Sequence, residues 1–368
     1  RNVVLYFSKN IEKSGVRTIT GDTHESGNKR ACKFQPDIII TRFPGDERAG
    51  HGHHQASQIL AQEAFTAAAD KTKFPEQFTY GVKPWQAKRI FWNTFNFGGN
   101  NTTNNNQLKM DIGVYNALLG KSYGEIGGEA RTMHKSQGEG RPRRRGQLYE
   151  YFTTTGGEQP KYSLMDGVDT TWNRIAGSNG ISNMINDIVN NFKTDKPALS
   201  LPALYQLYDK LAALPQGTWR DKKLHDLLDI IEACSGIFME MTAQNQLNVI
   251  GDSAKFSINI NNRLGIPIEQ VTVKFRNEMY NIGPLKENEN VSKPVAVLIP
   301  KDEPATQPYW LVNAIKGGAY DVADQQDIGK AENDGYTAEF DVTIGGRKFS
   351  FTKKILYKFT DPVKGELY

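Results

Sequence analysis

The stretch that most constrains this chain is Asp37-Ile38-Ile39-Ile40-Thr41, together with the loop and the histidines just beyond it. A short β-branched run without polar alternation reads as a strand buried on both faces. A loop rich in Gly, Pro and charge runs from Arg42 to Gly50, and three histidines, His51, His53 and His54, come next. Beyond them Ala56, Ile59, Leu60, Glu63, Ala64 and Ala67 keep helical spacing. Strand, loop and helix make one half of an α/β unit, in which ligands lie outside the carboxyl ends of the strands. The histidine loop holds half of the chain's six histidines. Imidazole is a common zinc ligand and a good proton shuttle, and the HxxH spacing of His51 and His54 lets both serve one site. Arg42 leaves the strand at its carboxyl end and is expected either to face a substrate or to be an ordinary loop charge. Asp46 is expected either to orient a histidine as a supporting carboxylate or to be a loop charge like its neighbour Glu47.

The histidine loop also carries a family resemblance. The run ITRFPGDERAGHGHHQAS, followed by KFPEQ, PWQAKRIFWNTFNFGG, GKSYGEI and RTMHKSQGEG, resembles the PIG-L (LmbE-like) N-acetylglucosaminyl deacetylases, in their long, multidomain bacterial (Bacteroidetes-type) form. The similarity runs from about Lys33 to Tyr368. It implies a Rossmann-like α/β domain with one zinc ion, acting as a hydrolase that removes an N-acetyl group from an amino sugar or glycoconjugate. It implies His54 as a zinc ligand and His51 as the group that steadies the oxyanion or acts as an acid. His134, in Met133-His134-Lys135-Ser136-Gln137, matches a family helix carrying a His and a Gln near the active-site face, or else braces that helix. The resemblance also implies a periplasmic or extracytoplasmic location. The family's other metal ligands and its base come from an HPDD-type motif, and neither HPD nor HPDD occurs in these 368 residues. The chain is therefore expected to be a partial deacetylase domain whose missing motif, with any export signal, lies upstream. The alternative is a non-catalytic carbohydrate-binding or scaffolding fragment.

A length of 368 residues suggests two or three domains. The net charge of +4 is too mild to imply nucleic acid as a partner. The one dense basic run, RPRRRG at 141–146, is expected to be a solvated loop or an anion or carbohydrate contact. No run of the sequence has the length and apolarity of a membrane span. Cys32 and Cys234 form neither a CxxC motif nor a disulfide framework, and Cys234 sits on an apolar helical stripe that marks it as core.

In chain order, Val3-Val4-Leu5-Tyr6-Phe7 is a plausible strand, and 11–33 lacks apolar periodicity and is expected to be a loop, with His24 and Cys32 as remote metal candidates. Residues 71–88 read as a surface loop, RIFWNTF at 89–95 as a strand, and GGNNTTNNN at 98–106 as a polar turn or sugar-lining loop. Residues 1–155 are assigned to the partial LmbE-like domain. Residues 156–245 are assigned to a Gly-, Pro- and Asp-rich linker and a small helical module. Its three stripes run over Ile181 to Phe192, Leu204 to Leu214, and Leu224 to Met241. From 246 to 368 the period changes to two. Phe256, Ile258 and Ile260, then Val271, Val273 and Phe275, then Ala338, Phe340, Val342 and Ile344 alternate with polar residues, as do Phe349 and Phe351 and then Ile355, Tyr357 and Phe359. Short alternating strands of this kind point to a β-sandwich-like domain.

Overall fold

The computed structural model describes Leu5, Tyr6, Cys32 and residues 34–368 except 98, 318–319, 325–326 and 328–334. Of the loop expected over 11–33 only Cys32 is among the described residues, and the candidate His24 lies outside them. Helix and strand are mixed throughout, most strand pairs are antiparallel, and the chain forms two compact units. One comprises 1–170 with 310–330, and the other 171–309 with 331–368.

The first unit is built on a five-stranded sheet. In chain order its strands are β1 (Leu5–Tyr6), β2 (Ile38–Thr41), β3 (Arg89–Thr94), β4 (Leu108–Asp111) and β5 (Tyr149–Gly157), and in space they run β1-β2-β3-β5-β4. The first three are parallel, whereas β5 runs antiparallel to β3 and to β4. All four residues of β2 are buried, as its unbroken apolar run requires. Period-two alternation sends Ile39 and Ile90 to one face, against Ala61 and Phe65 of helix α1 (Gly52–Ala67), and Ile38, Ile40 and Phe91 to the other, with Phe152 and Leu164.

Helix α1 forms where its spacing predicts, but on a different face. Ser57, Gln58, Ala61, Ala64 and Phe65 are buried while Ile59 is exposed. Small side chains let the helix lie close to the sheet, and Phe65 supplies the apolar bulk that the expected stripe assigned to Ile59 and Leu60. A second helix of this unit, α2 (Tyr123–Thr132), lies between β4 and β5 in the chain.

The first part of the expected linker is packed rather than free. Arg89, only 1% exposed, donates from Nε, Nη1 and Nη2 to the carbonyls of Glu158 (3.0 Å), Leu164 (2.8 Å) and Asp166 (2.7 Å). These bonds satisfy a buried guanidinium that would otherwise be costly, and they fasten 158–166 beneath β3.

In the second unit, helices α3 (Ile181–Asn191), α4 (Leu201–Ala212) and α5 (Thr218–Ser235) contribute Ile181, Leu204, Leu207, Leu211, Leu227 and Ile231 to one core. The expected all-β strands fill the same core with Phe256, Ile258, Ile260, Val271, Val273, Phe275, Phe340, Val342, Phe349 and Phe351. Helices and strands are thus one packing unit. The strands are β6 (Ile237–Ala243), β7 (Ser253–Asn262), β8 (Ile268–Phe275), β9 (Glu278–Leu285), β10 (Asn290–Leu298), β11 (Thr337–Ile344), β12 (Arg347–Lys354) and β13 (Leu356–Tyr357). They form two four-stranded sheets, ordered β10-β7-β6-β13 and β9-β8-β11-β12.

The third helical stripe ends earlier than expected. Gly236, at φ +66°, closes α5, and Ile237, Phe238 and Met241 belong to β6. A side chain at Gly236 would also strike Leu264, with an added Cβ only 2.4 Å from its Cγ. The last alternation, Ile355 to Phe359, yields only the two-residue β13 and a short hairpin, with Phe359 exposed.

Candidate functional site

The carboxyl ends of β2 and β3 gather a polar cluster. Parallel pairing sets Thr41 opposite Trp92, and one residue further Arg42 stands beside Asn93. Arg42 Nη1 donates to Asn93 Oδ1 and, at 3.3 Å, to Glu150 Oε2. Asn93 Nδ2 donates to the same carboxylate oxygen at 2.7 Å and to the Tyr151 carbonyl at 3.1 Å. The Arg42 guanidinium also lies over the Phe95 ring, 5.8 Å from its centroid. Asn93 is buried, while the side chains of Arg42 and Glu150 are each about one-third exposed, so the cluster opens to solvent at its charged end.

The histidine loop leaves from the same strand end. Asp46 caps the short 3-10 turn Glu47–Ala49 and accepts bonds from Arg48 N (3.1 Å), Nε (2.9 Å) and Nη2 (2.6 Å). The hydrogen bonds from Arg48 hold its carboxyl below the usual carboxylate range. Asp46 is therefore engaged by Arg48 instead of orienting a histidine, and Arg48 in turn lies over Trp92 at 5.2 Å.

His54 Nδ1 lies 3.1 Å from the Ala49 carbonyl. A carbonyl only accepts, so Nδ1 carries the proton and a neutral ring holds its lone pair on Nε2. The ring stacks on Phe43, with centroids 3.7 Å apart and planes within 3°. His51, the N-cap residue of α1, is exposed and meets His54 edge-on at 5.0 Å. His53 is exposed beside them.

Two further polar atoms on this unit, Trp92 Nε1 and Gln58 Oε1, are buried without a hydrogen-bond partner among the described residues. A buried donor and a buried acceptor left open are places where a water or a polar ligand atom is needed.

His134 is half-buried at the start of a 3-10 turn, Lys135–Gln137, and its side chain makes no capping bond to that turn. The structure connects it by no described contact to Arg42, His51 or His54. Cys32 is buried, with its thiol toward the Ala68 carbonyl at 3.5 Å, and burial pushes that thiol up. A shallow cavity of about 370 Å³ lies near the far end of α1, lined by Glu63, Thr66, Ala67, Asp70, Lys73 and Phe74, some turns away from the histidines.

Zinc is the ion that the family resemblance implies. A backbone carbonyl on Nδ1 is the kind of outer contact that presents Nε2 to a metal, and His54 has it. Among the described residues, however, no group of three or more His, Cys, Asp or Glu side chains is arranged to hold a metal ion. A catalytic zinc needs about three protein donors, so these residues alone do not fit a zinc centre.

Asn93 and Glu150 were not singled out by sequence reasoning. The available signal was the alternation Phe91, Asn93, Phe95 in RIFWNTF, which places one polar residue on an apolar face beside the strand carrying Arg42. Glu150 had no such signal, because only antiparallel pairing of β5 with β3 brings it there.

Compared with models of known protein families and with curated proteins, the sequence matches none of them.

Proposed function

We propose that the first unit is the substrate-facing part of an amide hydrolase for N-acetylated amino sugars, as the PIG-L resemblance implies. Its five-stranded sheet is read as part of a Rossmann-like domain, and the two four-stranded sheets of the second unit as a β-sandwich. The observation that carries this reading is the convergence of Arg42, Asn93 and Glu150 at the carboxyl ends of two parallel strands, from one of which the His51–His54 loop departs. Such strand ends are where α/β folds receive ligands.

A sugar presents hydroxyls and one acetamide, and needs donors and acceptors in fixed positions. Asn93 holds Arg42 and Glu150 in place, so the guanidinium is set to donate to an acetyl oxygen or hydroxyl and the carboxylate to accept from a hydroxyl. Phe95 supplies an apolar side to the same place. Amide hydrolysis also requires a proton for the departing amine, and His51, exposed beside His54 on the loop that leaves the same strand end, is a group of suitable chemistry. Water activation belongs, in the family, to zinc and the HPDD-type segment, and these 368 residues do not contain that segment. The chain is therefore proposed to bind the amino sugar and to depend on that segment for turnover.

A chitooligosaccharide titrated into the whole chain, followed by calorimetry, tests the reading, with zinc per chain measured by elemental mass spectrometry. Arg42→Ala is expected to weaken binding roughly ten-fold, the loss of one charged hydrogen bond, and zinc is expected well below one per chain after mild chelation. Sugar binding indifferent to Arg42→Ala and to His51→Ala would overturn the reading.

One observation favours a second reading, a carbohydrate-binding second unit. On the outer face of its β10-β7-β6-β13 sheet, Ser292 Oγ donates to Asn259 Oδ1 (2.9 Å). Asn259 Nδ2 donates to Glu240 Oε1 (3.3 Å), and Lys358 Nζ reaches the same carboxylate (3.2 Å). Binding that survives Arg42→Ala but fails in Asn259→Ala would assign the sugar to this face.

A further inference from the structure

A different part of the first unit presents apolar surface in an ordered form. The short hairpin pairing Tyr115–Asn116 with Lys121–Ser122 carries Leu118, 93% exposed, and Leu119, 47% exposed, at its turn, with Val114, Tyr115 and Tyr123 exposed at its base. The turn is closed by hydrogen bonds to Asn116. Asn116 Oδ1 accepts from the N–H groups of Leu118 (3.0 Å) and Leu119 (3.2 Å), and the Asn116 carbonyl accepts from Gly120 N (2.9 Å), with Gly120 at φ +66°. Tight turns ordinarily carry Gly, Asn, Asp, Ser or Pro. Two leucines fixed at a turn tip expose apolar surface that calls for a non-aqueous partner.

Cations in excess of carboxylates surround the base of this hairpin. Lys121 (2.8 Å) and Arg143 (3.0 Å) share one carboxylate, Glu129. Arg131 (3.2 Å) and Arg141 (2.9 Å) likewise share Glu139, and Arg145 pairs with Glu125 (2.9 Å). Arg144 is exposed. Residues 109–150 contain eight Lys and Arg against five Asp and Glu, a net +3 of the chain's +4. The basic run at 141–146 is thus partly neutralised by α2 and its neighbours, and the surplus is positive.

We propose that this hairpin seats on an anionic lipid surface. Leu118 and Leu119 enter the acyl boundary, Tyr115 and Tyr123 lie at headgroup level as interfacial aromatics do, and Lys121, Arg143 and Arg144 meet the lipid phosphates. A bilayer accepts a convex apolar tip without needing a matching pocket. A second copy of the chain would bring the same positive rim against itself.

The test is flotation of the whole chain with vesicles of phosphatidylcholine alone and of phosphatidylcholine with phosphatidylglycerol. Binding is expected to the anionic vesicles, to weaken as salt rises, and to fall roughly ten-fold or more in the Leu118→Ser/Leu119→Ser variant. That variant keeps Asn116, which supplies the turn's hydrogen bonds, and circular dichroism checks that its fold is unchanged. Absence of anionic-vesicle binding, or binding equal in the variant, overturns the proposal. So does a dimer in sedimentation velocity that the same two substitutions dissolve, which would assign the tip to a second copy.

Discussion

Asp341 shows how a single side chain sets a pH limit on the second unit. Its carboxylate is almost fully buried, and burial pushes it up, but Lys274 (2.7 Å), Lys348 (2.8 Å) and Ser350 (2.5 Å) all donate to it and together hold it well below the usual carboxylate range. A group whose folded value is depressed adds stability that is complete above its unfolded value, about 3.9, and lost as pH falls through the folded one. Lys274 works at the opposite end. Its hydrogen bonds to Asp341 and Glu339 raise it to about 12, so its share is complete below its ordinary value and is lost as pH climbs toward that figure. Thermal unfolding followed across pH is therefore expected to show an acid limb below about pH 4 that becomes shallower in Asp341→Asn, with some stability also lost at neutral pH. An acid limb identical in both proteins would mean that other carboxylates set it. The candidate site makes the same point about partners. That Arg42, His51 and His54 follow the carboxyl end of a strand was legible, because the unbroken apolar run before them marks that strand. The partner of Asp46 was not legible, because Arg48 wins it by proximity: two residues away, it offers its backbone N–H and two donors of a fixed guanidinium fork.

At the scale of elements, α2 is a helix with three glycines, at 124, 127 and 128, and it stands by its cap and its neighbours more than by propensity. Ser122 and Glu125 close a full capping box, with Glu125 N bonded to Ser122 Oγ at 3.2 Å and Ser122 N to Glu125 Oε2 at 3.0 Å. The glycines differ. A Cβ at Gly127 meets nothing within 4 Å, whereas one at Gly128 would stand 2.9 Å from the Pro142 carbonyl oxygen, a backbone atom that cannot swing aside. Gly127→Ala is expected to raise stability by about 0.5–1 kcal/mol through helix propensity and a less disordered unfolded chain. Gly128→Ala is expected to lower it by about 1–3 kcal/mol through overpacking. Denaturant unfolding of the two variants should show opposite signs, and equal shifts would mean that the 141–146 segment does not lie against the helix as described. Elements with a strong pattern were legible in the sequence: β2, the three helical stripes of the second unit, and strands such as Ser253–Asn262 whose apolar residues alternate. Two edge strands were not. Glu278–Leu285 borders its sheet and buries only Leu285, and Asn290–Leu298 carries Pro294, as an edge can, in the middle of its run, where it interrupts the pattern that reveals a strand. The third stripe ran on into Met241 because residues 237 and 241, four apart, share a face under a helical period and under a strand period alike. Only Gly236 marked the change.

At the scale of the whole chain, the division that sequence pattern suggests, with an all-β domain beginning at 246, cuts through a single core. Helices α3 to α5 bury Ile181, Leu204, Leu207, Leu211, Leu227 and Ile231 in the same cluster as the inward residues of both sheets, and Tyr205 and Tyr208 pack on Phe349 of β12 at 5.3 and 5.2 Å between ring centroids. Strand β6, which lies before 246, is interior to its sheet and pairs with β7 along its full length, from Ile237 opposite Asn262 to Ala243 opposite Phe256. A fragment of 246–368 would therefore lose an interior strand and the helical wall of its core together. Residues 310–330 cluster with the first unit, but the chain returns afterwards, and β11 and β12 supply half of the other sheet, with β11 paired to β8 at its centre. A fragment ending at 309 would leave β8 with one neighbour and remove Phe340, Val342, Phe349 and Phe351 from the core. Removing several large buried side chains at once costs more than the whole net stability of a typical domain, about 5–15 kcal/mol. Three fragments separate these contributions. Residues 171–368 are expected to unfold cooperatively with dispersed amide resonances, while 171–309 and 246–368 are each expected to show neither. A cooperative transition in 246–368 would mean that the sheets hold together without the helices, and that the boundary read from the change of period is the physical one after all.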